Sequence, residues 1–367
     1  MKKFLALISI IMVVTMLFTA CGSKTETQQT QTQQSGNSGS SGKTNETASG
    51  QEVPDVALPK GAHVEAVKQL PEKPLRIAFL SWQNNPFWFP VRDGALAAKE
   101  YLANFNTTVD YIVMGEDMTA DRVVAAMETA IAKQYDAIAV VPVFDGTENI
   151  INKAVEQGIP VFSFIAEGSK PSNRIAFMGQ DAYAAGQLAG QTIEKITGGN
   201  GKIGVITGVF GATQHEQRMN GALDYLAENV PGIEVVGKYE NKDKAETAYS
   251  LTKDMLTAHP DLKVVYVTAG GPFGAAKAIQ DMGLTGKVGV VCYDHIPDNL
   301  KYVKSGEIYA AIAQDPFGQG FDSCVYLYNY LVAGQKPDSD FIPVQLDVVT
   351  PDNIDEMYSE DEYMNAE

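Results

Sequence analysis

The sequence is poor in the side chains that most often hold metal ions or covalent crosslinks. It has three cysteines and four histidines among 367 residues. The stretch "HEQRM" at residue 215 begins like a zinc-protease helix, but the second histidine of that pattern would fall on Met219. Cys292 and Cys324 each lie in an apolar run, where two buried free thiols are favoured over a pair. We therefore expect no metal site.

Basic charge is also scarce. The 28 Lys and Arg residues against 45 Asp and Glu give a formal net charge of −17, and no Lys/Arg-rich run relieves it locally. Because nucleic-acid binding requires neutralised phosphates, we expect no nucleic-acid partner. The composition, with 45% hydrophobic and 20% charged residues, is typical of a folded globular protein, and the length suffices for two domains.

Motifs of nucleophilic and phosphate chemistry are missing too. In "GGNGKIG", Ile203 follows Lys202 where a phosphate-binding loop requires Ser or Thr. The sequence contains no G-x-S-x-G stretch. We therefore predict a protein that is not an enzyme and needs no cofactor.

The N-terminal segment has the three regions of a secretory signal. In "MKKFLALISIIMVVTMLFTAC", two lysines precede an apolar run that is short for a membrane span, and Ala20 precedes Cys21. Cys21 with Gly22 resembles the lipobox of bacterial lipoproteins, in which the signal is removed and the new N-terminal cysteine carries lipid. Phe18 stands where that family usually has Leu. The alternative is an ordinary signal with a chance cysteine.

A polar segment follows the cysteine. From Gly22 to about Gln51 the chain has no aromatic and no large aliphatic residue, so it cannot bury enough apolar surface to offset the entropy of ordering. We predict a signal peptide over 1–20 and a lipidated Cys21 with a flexible tether over 21–73. The folded part would then be anchored at the outer face of the cell membrane.

From about Pro74 onward, short apolar runs alternate with amphipathic helical stretches. This pattern predicts βαβ units whose strands are buried on both faces. The runs fall into two series, which predict two doubly wound parallel sheets with a ligand cleft at the carboxyl ends of the strands. The first series is "LRIAFLS", "VDYIVM", "AIAVV" and "PVFSFI"; the second is "KIGVITG", "IEVVGKY", "KVVYVT", "VGVVCYD" and "IYAAIAQ".

The residues at these strand ends include aromatic rings, amides, carboxylates and one guanidinium, without an obvious reaction centre. A hydroxyl-rich ligand such as a sugar needs flat apolar surfaces for its C–H faces and fixed polar partners around its edge. The candidates are Asn84, Asn85, Phe87, Trp88, Glu167, Asp181, His215, Arg218, Asn220, Asp294 and Gln314.

Several stretches resemble the ribose-type solute-binding proteins of bacterial ABC importers, in family order from Leu75 to about Val349. They are "NNPFW", "RDGA", "EQGIPVFSF", "QRMNGALDYL", "LTAHPDLKVVYV", "VVCYDHIPD" and "GEIYAAIAQDPFGQG". The resemblance implies an α/β fold of type 1 periplasmic binding proteins, with two doubly wound parallel-sheet lobes joined by a three-stranded hinge. It implies an N-terminal lobe over 74–181 plus 315–343 and a C-terminal lobe over 182–314 plus 344–367. The hinge would include Asp181 and Asp315.

The resemblance also implies roles for single residues. Asn85 becomes a hydroxyl partner, Phe87 and Trp88 stacking rings, Arg218 and Asp294 charged hydrogen-bonding groups, and Gln314 a polar contact beside the hinge. The chain departs from the family at two strand ends. Ile165 and Ala166 replace an adjacent Asp and Arg, with Glu167 one place later, and "TAGGPFG" from Thr268 replaces Asn-Asp. With Glu167 and Thr268 kept as candidate ligand contacts, the departures favour a larger, deoxygenated or substituted sugar over ribose.

Three classes of function follow. The first is a monomeric transport receptor that captures a sugar and delivers it to an ABC permease and its ATPase. The second is a sensory lipoprotein that presents a sugar or autoinducer to a membrane kinase or chemoreceptor. The third, an enzyme or a transcription regulator, would require a nucleophile and base or a DNA-binding helix pair, which the sequence does not offer. The first is our prediction, and the second is the alternative.

The lipobox generates a first testable prediction. Cys21→Ala removes the acylation site, and stable anchoring needs more than one acyl chain. We expect the variant to move from the membrane fraction to the medium or periplasm on cell fractionation and immunoblotting. Retention in the membrane fraction would contradict the anchor.

Overall fold

The computed structural model describes residues 55–82 and 86–364, which form two α/β lobes, each with one six-stranded sheet. The first lobe has strands β1 (Leu75–Ser81), β2 (Thr107–Val113), β3 (Ala137–Val140), β4 (Val161–Ile165), β5 (Phe177–Gly179) and β11 (Phe341–Pro343). Its helices are α1 (Trp88–Ala103), α2 (Ala120–Ala132), α3 (Glu148–Glu156) and α9 (Pro316–Ala333). The strand order is β11-β5-β4-β3-β1-β2, and all pairs are parallel.

The second lobe repeats this architecture. Its strands are β6 (Asn200–Thr207), β7 (Gly232–Glu240), β8 (Leu262–Val267), β9 (Gly289–Tyr293), β10 (Ile308–Ile312) and β12 (Val348–Val349). Its helices are α4 (Ala182–Thr197), α5 (Thr213–Asn229), α6 (Ala245–Ala258), α7 (Pro272–Asp281), α8 (Pro297–Ser305), α10 (Ile354–Met357) and α11 (Glu360–Met364). The strand order is β12-β10-β9-β8-β6-β7. The predicted pair of doubly wound lobes is confirmed.

Burial of the strands follows their place in the sheets. Every residue of β3 is buried, because β3 has a strand on each side and lies between helical layers. The prediction of strands buried on both faces is wrong for β2 and β7. These two strands lie at the sheet edges, where one side has no neighbouring strand, and much of each is half-buried or exposed.

The second sheet is not purely parallel. Strand β12 pairs antiparallel with β10. Chain direction explains this: β10 runs toward the first lobe at its carboxyl end, while β12 begins as the chain returns from β11 in that lobe. The two strands therefore run in opposite directions without the helical crossover that a parallel pair would require.

The chain passes between the sheets three times: after β5, after β10 and between β11 and β12. The predicted hinge residues lie at the first two crossings, where each caps the helix that follows. Asp181 accepts a hydrogen bond from the Ala184 amide at 2.9 Å, and Asp315 accepts one from the Gly318 amide at 3.0 Å. Such caps satisfy amides that the first helical turn leaves unpaired. The helices on either side of the crossings thus begin at defined residues.

One helix pair in each lobe crosses at glycines that allow close backbone contact. A Cβ on Gly94 of α1 would lie 2.2 Å from the Phe317 carbonyl oxygen at α9, and a Cβ on Gly186 of α4 would lie 2.3 Å from the Arg218 carbonyl oxygen of α5. Neither position can accept a methyl group without separating the helices. The two helices of each pair therefore have their backbones in direct contact.

Residues 55–70, which the sequence assigned to the tether, instead pack along α9; we call them the strap. The amides of His63 and Val64 donate to Asp322 Oδ1 at 3.0 and 3.1 Å. The Val67 amide donates to Asn329 Oδ1 at 2.8 Å. Asp322 and Asn329 lie two turns apart on one face of α9, so the strap follows that face. The side chains that hold the strap in place thus lie more than 250 residues away in the sequence, which is why the sequence alone did not reveal its position.

The two described cysteines are free. Cys292 lies in the core of the second lobe and Cys324 in that of the first, and both are buried. Burial raises the pKa of each thiol above its ordinary value. We infer that both act as small core residues.

Within the described residues, 55–82 and 86–364, no helix combines the length and apolar character needed to cross a bilayer. Cys21, the signal peptide and the polar segment lie outside these described residues. The lipid anchor therefore stays a prediction.

The glycine crossing of the first lobe generates a second prediction. Gly94→Ala should lower the free energy of unfolding by about 1–3 kcal/mol, because the added methyl overlaps the Phe317 carbonyl oxygen and forces α1 from α9. Urea unfolding followed by circular dichroism measures the change. Leu96→Ala on the exposed face of the same helix is the control, with an expected change within about 0.5 kcal/mol. Equal stability of Gly94→Ala and the parent would refute the tight crossing.

Candidate functional site

The candidate site is a cleft between the carboxyl ends of the two sheets, the place where open α/β sheets bind ligands. It encloses about 450 Å³, counting space that opens to solvent. Its lining residues are Phe87, Trp88, Met118, Val141, Val143, Ile165, Ala166, Gln214, His215, Arg218, Asp243, Ala269, Gly270, Asp294 and Gln314.

The two sides of the cleft differ in chemistry. Among the described residues, the first-lobe wall consists of hydrophobic side chains: Phe87, Trp88, Met118, Val141, Val143, Ile165 and Ala166. The second-lobe wall carries the polar side chains of the cleft, and Gln314 at the second crossing belongs with it. This wall consists of Gln214, His215, Arg218, Asp243, Ala269, Gly270, Asp294 and Gln314. The cleft thus faces a ligand with carbon on one side and with hydrogen-bonding groups on the other.

Two aromatic rings begin helix α1 at the first-lobe wall. Phe87 and Trp88 pack edge to face, with ring centroids 4.9 Å apart and an interplanar angle of 77°. The nearby Trp82 differs from them, because it is fully buried and its Nε1 donates to the Val141 carbonyl oxygen at 3.2 Å. Phe89 is half-buried, with the Arg92 guanidinium 5.1 Å from its ring centroid. Only Phe87 and Trp88 of these four rings line the cleft.

Arg218 lies buried at the base of the second-lobe wall, on α5. Its Nε and Nη2 both donate to Gln180 Oε1, at 3.0 and 2.5 Å, and Nη2 also donates to Gln314 Oε1 at 3.0 Å. Nη1 donates to the Thr268 carbonyl oxygen at 3.0 Å, and the Tyr293 ring centroid lies 3.9 Å from the guanidinium carbon. A buried guanidinium is tolerated only with such partners, so its orientation is fixed.

Asp294 is the buried carboxylate of the second-lobe wall. It follows β9 with a positive φ of 77°, and its Oδ1 accepts a short hydrogen bond from Gln314 Nε2. Burial raises the pKa of Asp294 to about 6, and the Arg218 charge and the Gln314 hydrogen bond only partly offset this. The strand end thus holds a carboxyl group that titrates near neutral pH.

His215 and Asp243 add polar capacity next to Arg218. His215 Nδ1 accepts a hydrogen bond from the Val209 amide at 3.1 Å, so the neutral ring carries its proton on Nε2. Burial lowers the pKa of His215 and favours this neutral form. Asp243 Oδ1 accepts from the Gly270 amide at 2.8 Å. A neutral donor and a carboxylate therefore stand side by side on this wall.

Direct hydrogen bonds join the two lobes across the cleft. The Thr213 amide donates to the Val143 carbonyl oxygen at 3.2 Å, and Gln214 Nε2 donates to the Ile165 carbonyl oxygen at 2.8 Å. The Ile165 amide in turn donates to Gln319 Oε1 at 2.7 Å. These contacts describe a cleft with its walls closed together.

The structure places the predicted ligand residues in three groups. Glu167 is paired with Arg174 through two contacts of 2.6 Å and does not line the cleft. Thr268 is buried behind Arg218, with its hydroxyl donating to Thr207 Oγ1 at 3.0 Å. Asn85 lies outside the described residues. The remaining candidates come together in the cleft: Phe87, Trp88, Arg218, Asp294 and Gln314.

Sequence reasoning missed part of the second-lobe wall. Asp243 lies just after β7, so the strand-end rule that selects Asp294 could have found it within "NKDK". Gln214 lies one residue before His215 and four residues before Arg218 on α5, and no sequence pattern distinguishes it. Gln180, which holds Arg218, follows "IAFMG" at the first crossing and could have been found in the same way.

Comparison with known proteins reveals one family. A periplasmic binding protein domain matches residues 77–336. The D-ribose/D-allose-binding protein of Pseudomonas aeruginosa is 26% identical over 281 residues, which cover 74% of this chain and 86% of that protein. The ribose import binding protein RbsB of Salmonella typhimurium is 25% identical over 272 residues, covering 74% and 88%. A solute-binding protein of Burkholderia graminis, solved in complex with D-arabinose, has a TM-score of 0.70 at 27% identity and covers 77% of this chain and 97% of that chain.

The pKa of Asp294 generates a third prediction. Its folded-state value of about 6 exceeds the ordinary 3.8, so the folded protein retains a proton that the unfolded chain has released between these pH values. Stability is therefore lost as pH rises from about 4 through about 6. Asp294→Asn should remove this loss, because the amide keeps an acceptor for Gln314 and tolerates positive φ. We expect stabilisation of roughly 3 kcal/mol near pH 8 and little change near pH 4.

Thermal unfolding across this pH range measures the effect. Asp352→Asn at an exposed site is the control for the loss of one negative charge. A difference between Asp294→Asn and the parent that does not vary with pH would show that Asp294 is not the titrating group.

Proposed function

Since the chain belongs to the periplasmic binding protein family, we propose that it is an extracytoplasmic receptor of an ABC importer, which captures a sugar in the cleft and delivers it to a membrane permease and its ATPase. The family is one of binding proteins, and the curated relatives are sugar-binding transport proteins rather than enzymes. The chemistry of the cleft agrees with that assignment.

The observation that carries the proposal is the pairing of an aromatic wall with a fixed polar wall. Sugars present C–H faces that pack on rings and hydroxyls that require both donors and acceptors. Trp88 and Phe87 supply the rings. Asp294 supplies an acceptor, and His215 Nε2 supplies a donor. Gln314 lies among them and carries both kinds of group.

The remaining predicted contacts take different parts in this proposal. Asn85 is proposed as a hydroxyl partner, on the resemblance alone. Thr268 is proposed to act through Arg218, because its carbonyl oxygen accepts a hydrogen bond from Arg218 Nη1. Glu167 is proposed to contribute least to ligand binding, because both oxygens of its carboxylate already accept hydrogen bonds from Arg174.

Ligand capture and lobe closure are proposed to be one event. Hinge closure around a ligand is the known motion of periplasmic binding proteins. A ligand stabilises the closed form only through contacts that the open form lacks, and contacts to both walls meet that condition. Asp181 and Asp315, the caps at two crossings, are proposed as the residues about which the backbone turns. The closed form would be the one that the permease recognises.

The proposal includes the attachment of the protein. A lipid on Cys21 would hold a monomeric receptor at the outer face of the membrane beside its permease. The cysteine lies outside the described residues, so this part depends on the lipobox resemblance.

A ligand screen tests the function. Because a ligand that binds only the folded state raises its melting temperature, thermal shift against mono- and oligosaccharides should reveal at least one stabilising sugar. Uptake of that sugar by cells should fall when the gene is deleted. Failure of every sugar to shift the melting temperature would overturn sugar capture, and unchanged uptake would overturn delivery to a permease.

The aromatic wall generates a fourth prediction. Trp88→Ala should weaken the binding of the best sugar at least tenfold, about 1.4 kcal/mol, because it removes an aromatic surface that lines the cleft. Isothermal titration calorimetry measures the affinity. Phe89→Ala is the matched control, since Phe89 is the next ring in the chain and does not line the cleft. Equal losses in both variants would count against a specific role of Trp88.

A further inference from the structure

Among the described residues, the first-lobe wall carries no charged, amide or hydroxyl side chain, and part of its main chain is already hydrogen-bonded within the protein. The Val141 carbonyl oxygen accepts from Trp82 Nε1, and the Val143 carbonyl oxygen accepts from the Thr213 amide. Ile165 has both of its main-chain groups engaged, with Gln319 and with Gln214. Among the described residues, this side of the cleft therefore presents a ligand mainly with carbon.

Ile165 has an unusual backbone conformation within this wall. It ends β4 with φ of +65°, a left-handed conformation that a β-branched residue rarely adopts. Such a conformation persists only where the surroundings enforce it, and here the two hydrogen bonds of its main chain do so. The following Ala166 adds only a methyl group to the wall. The strained position thus places a residue whose side chain has no polar atom on the lining of the ligand space.

The opposite wall concentrates the polar groups. Asp243 and Asp294 provide carboxylate oxygens, and His215 provides the Nε2 proton. Hydroxyls on one edge of a sugar can find partners there. A hydroxyl placed against Ile165 and Ala166 would lose its water there without replacement, which disfavours binding.

We propose that the ligand is a deoxygenated sugar, bound with a methyl or methylene group against Ile165 and Ala166 and with its remaining hydroxyls toward the second-lobe wall. The inference rests on the proposed capture of a sugar and specifies its chemical class. Ile165 is then a specificity-determining residue, because it rejects the hydroxylated analogue by leaving that hydroxyl unpaired.

Matched sugar pairs that differ by one hydroxyl test the class. The full-length protein, purified in detergent, is titrated calorimetrically with D-galactose and D-fucose, L-mannose and L-rhamnose, and D-ribose and deoxyribose. In at least one pair the deoxy member should bind ten times tighter or more. Tighter or equal binding of every hydroxylated member overturns this inference and leaves sugar capture intact. If no sugar binds, neither in these pairs nor in the wider screen, both sugar capture and this inference are overturned.

A substitution at the strained position tests the residue. Ile165→Asn introduces an amide that can pair a hydroxyl, and Asn accepts positive φ more readily than Ile. The ratio of affinities within the best pair should shift at least fivefold toward the hydroxylated sugar. Because a ratio is measured within one variant, a general loss of stability does not imitate the effect.

Two further variants complete the test. Leu96→Asn makes a similar change on the exposed face of α1, where the affinity ratio should stay constant. Ala166→Ser is the smaller replacement if Ile165→Asn fails to fold, and it should shift the ratio in the same direction. An unchanged ratio in the wall variants that fold would overturn the role assigned to this wall.

Discussion

The buried guanidinium of Arg218 is the interaction on which the rest of the structure depends. It bonds to Gln180 at the first chain crossing and to Gln314 at the second, and so it joins two segments of the hinge to helix α5. An arginine without such partners would cost several kcal/mol in this environment. The hydrogen bonds that the Arg218 guanidinium requires therefore fix the two chain crossings relative to the binding site. Gln314 extends the network to Asp294, and Gln319 extends it through Gln314 to Ile165. Hinge and binding site are parts of one set of hydrogen bonds.

Much of the fold could be predicted because parallel strands buried on both faces appear in the sequence as apolar runs. The strands that escaped prediction are β5, β11 and β12, of three, three and two residues, which are too short to show any period. The edge position of β2 and β7 could not be predicted for another reason. Their sequences, TTVDYIV and GIEVVGKYE, mix apolar with polar residues, and such a mixture does not show on which side a strand lacks a neighbour. Only the strand order of the folded sheet shows it.

The site divides in a similar way. Residues that follow strands directly, such as Asp294 and Gln314, could be predicted, because parallel strands bring their carboxyl ends to one edge. Partners that satisfy those residues could not. Arg174 neutralises Glu167, and Trp82 turns its indole to Val141, through contacts that sequence spacing does not encode. The ordering of the strap by Asp322 and Asn329 depends on the folded helix α9 in the same way.

The strap also determines where mechanical load enters the molecule. Because residues 55–70 are fastened along α9, tension applied through the preceding chain enters the molecule at the first lobe. Part of it also reaches the second chain crossing and the second lobe, because His63 Nε2 lies 3.0 Å from Asp315 Oδ2 and Lys60 Nζ lies 3.7 Å from Glu362 Oε1. The strap thus spreads a pull over α9 and these two contacts.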